Sequence, residues 1–386
     1  MSGDDNPKKR KRRLVSLIIL LVSFAGIALF VVLLISGTGS CSSQLSGLFQ
    51  RRLPVITVNE FNFDVGRDRV FASVEGSIAA AGTLGIQVLD AGGSETLRDP
   101  FRMTRPALTG SGDRCIAFDI GGSAVRVFSP EQIGTSLEFD GAIVSASINK
   151  NGWFCVVTQE SGGSRGVVTV YNSTGTKVYG VVLGSGYILS AELSADNKNL
   201  AVLNLTDTGS RITFYHGIDV NDEHDWQFDL DGGLIIEIKY LYSGDVLAIS
   251  PESLFLIESS GSKKDLYTFS DKRLGGYTYD GDFIALLLYD YGLGHRGRII
   301  TLLTDGTILG EMVTDREVIS MSAVGKSLVV LQSDNLLFYS EELDEFPVSE
   351  DNLSVAGAGR VLAINEDTAL ATNDNSAVVF RREEDR

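Results

Sequence analysis

Short apolar runs, alternating or continuous, fill the chain from Val55 onward and are separated by Gly, Asn and Asp turns. The most regular is a five-residue run that returns as Ile86–Asp90, Val125–Ser129, Val168–Asn172 and Ile212–His216. It comes back as Leu254–Glu258, Ile300–Thr304, Leu336–Ser340 and Ala377–Arg381. Successive copies stand between 36 and 46 residues apart. Runs this short, rich in β-branched and aromatic residues, predict strands rather than helices. A strand repeat near 40 residues predicts radial β-repeats, small sheets that bury their faces only against one another.

The repeat containing Ile212 shows the expected layout. A first strand, Ile188–Leu193, is followed by the turn Ala195–Asn199 and a second strand, Leu200–Asn204. The recurring third strand comes next, then a fourth, Trp226–Leu230, ending in Asp231-Gly-Gly. Equivalent turns stand at Asn151-Gly, Ser243-Gly-Asp and Asp280-Gly-Asp, residues that tolerate the positive φ of tight hairpins. The fold class expected is all-β, a β-propeller. Eight blades are favoured and seven are the alternative, because the first and last repeats are the least regular. The last repeat offers Val361–Ile364, Ala369–Thr372 and Val378–Phe380 and then lacks a fourth strand. The segment Val55–Val65 carries a spare one, and pairing the two closes a ring without a free sheet edge.

Ahead of the propeller the pattern changes. Leu14–Ile35 is 22 residues without a charge, long enough to span a bilayer of about 30 Å as a transmembrane helix. Lys8–Arg13 is wholly basic and directly precedes it, which places the N-terminus in the cytoplasm and the rest outside. The run exceeds a signal-peptide core. Thr38 stands where a lipoprotein box needs an apolar residue before its cysteine, so lipidation of Cys41 is the weaker expectation. The expected organisation is a basic tail (1–13), a span (14–35), a linker (36–54) and an extracytoplasmic propeller (55–386).

Charge narrows the partners. The chain carries a formal −17; its first 13 residues hold six basic and two acidic groups, so everything after them sums to −21. Such a body is repelled by nucleic acid and by anionic lipid unless a local patch opposes the mean field. Three cysteines, Cys41, Cys115 and Cys155, are too few for a disulfide scaffold.

No constellation specifies a reaction. Gly292–Gly297 matches GxGxxG, yet a strand follows it where a dinucleotide site needs a helix N-terminus. Asp219–Asp225 spaces its carboxylates like half a calcium loop but has His224 at the required glycine. His216, His224 and His295 are the only histidines and share no metal-ligand spacing. Cofactors expected are none. Cys115 and Cys155 lie in second strands of adjacent repeats and read as small buried residues. Tyr240/Tyr242 and Tyr277/Tyr279 sit on first strands, where inter-blade packing is expected ahead of a ligand platform.

The serine–Asp/Asn–Gly turns, the second-strand Ala-Val runs and the Gly-containing turns after third strands resemble those of WD40-like and quinoprotein-like propellers. With the basic N-terminus and span, the chain resembles an uncharacterised family of single-pass membrane-anchored propeller proteins of Gram-positive bacteria. The resemblance departs from WD40 repeats proper, since third strands end in Asp90, Ser129, Asn172 and His216 with no Trp-Asp pair. It implies a shape and no activity.

The function expected is a non-enzymatic binding or scaffold module at the cell envelope. The alternatives are an envelope enzyme acting on polysaccharide or sugar at the channel mouth, and an assembly factor for other membrane proteins. A carboxylate pair converging in the channel argues for the enzyme, a tyrosine-rich face for binding. Longer loops between second and third strands bring Arg165, Arg211, Tyr289, Tyr291, His295, Arg296 and Arg298 toward one rim. That cluster suggests an anionic partner, an envelope polymer or an acidic protein surface. Its bland alternative is neutralisation by nearby Glu160, Asp207 and Asp290.

Overall fold

In the computed structural model the described residues are 55–386, apart from 160–165, 185, 219–223, 281, 292–295, 334, 347–354, 356, 374–375 and 383–386. For 55–59 and 224–225 only the backbone is described. The tail, the transmembrane helix expected over 14–35, the linker and Cys41 lie outside the described residues. Among those described, no helix is long and apolar enough to cross a membrane.

Every recurring run is the third strand of a four-stranded antiparallel sheet, and the described residues form eight such sheets. Blade 4 comprises Tyr187–Leu193, Asn199–Leu205, Gly209–His216 and His224–Asp231. The burial pattern follows from the stacking. The second and third strands of blade 5, Val246–Ile249 and Ser253–Ile257, are buried at every residue because neighbouring blades cover both faces. An outermost strand, Glu95–Pro100 in blade 1, alternates toward solvent. Eight hydrophobic clusters each join two consecutive blades. No sheet owns a core of its own, so a blade has no stability apart from its neighbours.

Turn chemistry also follows the sequence. Asn149 accepts the amides of Asn151 and Trp153 on its side-chain oxygen at 3.0 and 3.1 Å, and Gly152 takes φ +74°. That conformation costs an L side chain what it does not cost glycine.

The ring closes as the spare strand requires. Val55–Asn62 pairs antiparallel with Ser376–Arg382 and becomes the fourth strand of blade 8. Phe61, Phe63 and Val65 then pack with Ile78, Leu370 and Val379 in the cluster between blades 8 and 1. First strands surround the central channel. Links between second and third strands share one face, here the upper, with the links that lead into each first strand. The turns after first strands occupy the lower face. Val55 stands opposite Arg382 at the lower end of its strand.

Candidate functional site

The rim residues read from sequence come to different ends. Arg165 and His295 lie outside the described residues. Arg211 makes a two-pronged contact with Asp229, directly opposite it on the fourth strand, at 2.6 and 3.1 Å. Arg298 pairs with Glu311, and Arg296 with Asp315 at 3.2 Å. These carboxylates lie across the strand ladder, whereas Asp207 and Asp290 are neighbours only along the chain. Tyr289 is 8% exposed, with its hydroxyl donating to the Val318 carbonyl at 3.4 Å and Arg273 over its ring. Tyr291 is 71% exposed. The described arginines of this rim are therefore balanced by their own blades.

A second group of arginines was not singled out from sequence. Arg67, Arg69 and Arg360 line one cavity of about 560 Å³ with Phe71, Thr372 and Asn373. Arg67 and Arg69 precede the first strand of blade 1, Val70–Val74, and Arg360 opens that of blade 8, Arg360–Asn365. Thr372 ends the second strand of blade 8, so the cavity opens on the upper face at the seam of the ring. Arg69 donates to the Gly66 carbonyl at 2.8 Å, which fixes its guanidinium. Asp68 is the one carboxylate of the lining, and no ion pair to the three arginines occurs among the described residues.

The channel wall holds a third group. Lys239 of blade 5 reaches Glu192 of blade 4 at 3.1 Å and Glu237 of its own strand at 3.8 Å. Tyr277 of blade 6 donates its phenol to Glu237. Burial pushes the Glu192 carboxyl up, against the pull of Lys239. Glu192 in turn holds the Lys239 ammonium above the usual lysine range, outweighing burial. The Tyr277 phenol is also raised, by burial first and then by Glu237. Beside this chain a cleft of about 360 Å³ separates blades 5 and 6, floored by Leu247, Ile249, Leu254 and Ile284. Tyr277 and Tyr279, two residues apart on a strand, both face it. Both pack against the cluster that joins blades 5 and 6, as expected of inter-blade packing, and a period of two puts them on one side of the strand. Tyr240 is packed against blade 4 while Tyr242, past the strand end, is 71% exposed.

The remaining motifs recede. Gly297 begins the strand Gly297–Leu302, so the glycine-rich segment joins two strands; 292–295 itself lies outside the described residues. The acidic loop 219–223 lies outside them too. Cys115 and Cys155 are buried free thiols. Among the described residues no group of His, Cys, Asp and Glu is arranged to hold a metal.

Comparison with known proteins agrees with the architecture. A family model described as "Family of unknown function (DUF5711)" matches residues 55–344. No curated protein matches the chain. The C-terminal WD40 domain of Sif2 superposes with a TM-score of 0.57 at 13% identity, covering 86% of this chain and 98% of that one. The WD40 domain of SCAP from fission yeast superposes at 0.54 and 12% identity, with the same coverages. At these identities the likeness is one of fold.

Proposed function

The chain belongs to this family of unknown function, and we propose that its propeller is a non-enzymatic binding module that takes an anionic partner on its upper face. The observation that carries this reading is the cavity of Arg67, Arg69 and Arg360 in a chain of formal charge −17. Guanidinium groups gathered against the mean field concentrate an anion locally, and their planar forks suit carboxylate or phosphate. The setting follows from the basic tail and the 22-residue apolar run: a single-pass membrane protein, N-terminus cytoplasmic, propeller extracytoplasmic. The partner class is then an anionic envelope polymer or an acidic protein surface.

The test is binding of poly-L-glutamate and of polyphosphate to the full chain in neutral-lipid nanodiscs across a salt series. Replacing Arg67, Arg69 and Arg360 with Ser is expected to weaken binding about tenfold or more and to flatten the salt slope. Unchanged affinity and slope would remove the reading.

One observation favours the enzyme alternative. Glu192 and Glu237 both reach Lys239 on the channel wall, at 3.1 and 3.8 Å, and two carboxylates are what acid–base chemistry on a sugar uses. Against it, Lys239 lies between the carboxylates and Tyr277 already occupies Glu237.

A further inference from the structure

We propose that the cleft between blades 5 and 6 is a binding site for a small organic cation with an apolar body, an alkyl- or arylammonium. This site is separate from the arginine cavity and stands on different residues.

Its shape comes first. The volume, about 360 Å³, lies at the small end of ligand pockets. Leu247, Ile249, Leu254 and Ile284 form the floor, and each is at most 6% exposed. The floor itself offers water no polar partner, so an apolar group gains by displacing water from it.

The electrostatics of the wall decide the other end of the ligand. Glu237 and Lys239 both line the cleft, but the Lys239 ammonium reaches Glu192, outside the lining, at 3.1 Å; the three groups carry a formal charge of −1, and Glu237 is the carboxylate the cleft presents. Glu237 keeps 43% of its side chain exposed, and the Tyr277 phenol takes up only part of its acceptor capacity. A donor cation is therefore complementary and a carboxylate or phosphate is repelled. The Tyr277 and Tyr279 rings line the same cleft, and tyrosine faces attract ammonium groups. Tyrosines elsewhere in this protein already do so: Lys150 stands 4.0 Å above the Tyr242 ring. Burial pushes the Tyr279 phenol up to about 12, so it stays neutral and adds no competing charge of its own.

The test uses the full chain in nanodiscs and three probes of one shape: 2-phenylethylammonium, neutral 3-phenylpropanol and anionic 3-phenylpropanoate. Saturation-transfer NMR and calorimetry read binding. The amine is expected to bind at about 1 mM or tighter and to be preferred about tenfold over the alcohol, with the acid silent. Glu237→Gln removes the charge while keeping an acceptor for Tyr277, and is expected to erase that preference. Tyr279→Phe, which keeps the ring, is expected to retain it. The triple arginine variant of the upper face should bind the amine as the parent does. Equal binding of amine and alcohol, an unchanged preference in Glu237→Gln, or no amine binding up to about 10 mM overturns the proposal.

Discussion

Ser73 donates its hydroxyl to the carbonyl of Ile364 at 3.2 Å, across 291 residues of chain. The bond joins the first strand of blade 1 to that of blade 8, and no local interaction holds these strands together. What brings them into register is Val55–Asn62, the fourth strand of blade 8. Deleting those residues is expected to expose the edge of Ser376–Arg382 and to loosen the far end of the chain. Hydrogen exchange should rise about tenfold or more in Arg360–Arg382, well beyond any rise in blades 3 to 5. Equal responses in all blades would mean that the seam does not depend on this strand. Ser73→Ala alone should cost only about 0.5–1.5 kcal/mol, because it removes one bond and leaves the strand pairing intact.

Much of this was legible in the sequence because the signals are local. The third strands are short apolar runs, some broken by a single polar residue such as Gln87 or Arg126, with turn residues at each end. The missing and spare strands were legible as a pair, since each left a pattern without a partner. The sites were legible only in part: Tyr277 and Tyr279 stood out in the sequence, the arginine cavity and the charges beside the cleft did not. Arg67 and Arg360 meet only because the ring closes, and nothing in a period near 40 says which links share a cavity. Their one signal is position: both flank first strands that the closing strand makes neighbours. Glu192 and Lys239 left a similar trace, charged residues inside strands whose other members face apolar neighbours. Cross-strand neutralisation of Arg211 by Asp229 needs the register of the hairpin, which run boundaries fix only loosely.

Lys239 is the hinge of the channel wall. Glu192 keeps only 15% of its side chain exposed, so its carboxylate depends on the ammonium for compensation. Lys239→Ala leaves that charge without a counterion, which costs about 3–5 kcal/mol for a fully buried pair. Here Lys239 retains 41% exposure and channel water screens the loss, so about 1–3 kcal/mol is expected from denaturant melts. Adding Glu192→Gln to the alanine variant should recover at least half of the loss. If the double variant is no more stable than Lys239→Ala, the lysine contributes through packing of its stem.

The two buried thiols offer a clock for opening of blades 2 and 3. Cys115 and Cys155 are each 0% exposed, and burial pushes both up to about 12. For Cys155 burial is opposed by Ser147, whose hydroxyl lies 3.2 Å from the sulfur; the thiol itself donates to the Ala191 carbonyl of blade 4 at 3.3 Å. At pH 8 a thiol near 12 is ionised about one part in ten thousand, against about one in four for an ordinary cysteine. The sign is plain: raising pH toward 9 increases the folded thiolate tenfold but leaves it scarce. In a Cys41→Ser background, a maleimide or disulfide reagent at pH 8 is therefore expected to leave both residues unlabelled for hours. Urea should bring labelling in with the same midpoint as the loss of β-sheet circular dichroism, since each thiol sits in a second strand covered by an adjoining blade, Cys115 by blade 1 and Cys155 by blade 4. Labelling of Cys155 in native buffer at the rate of a free thiol would show that blades 3 and 4 separate without global unfolding.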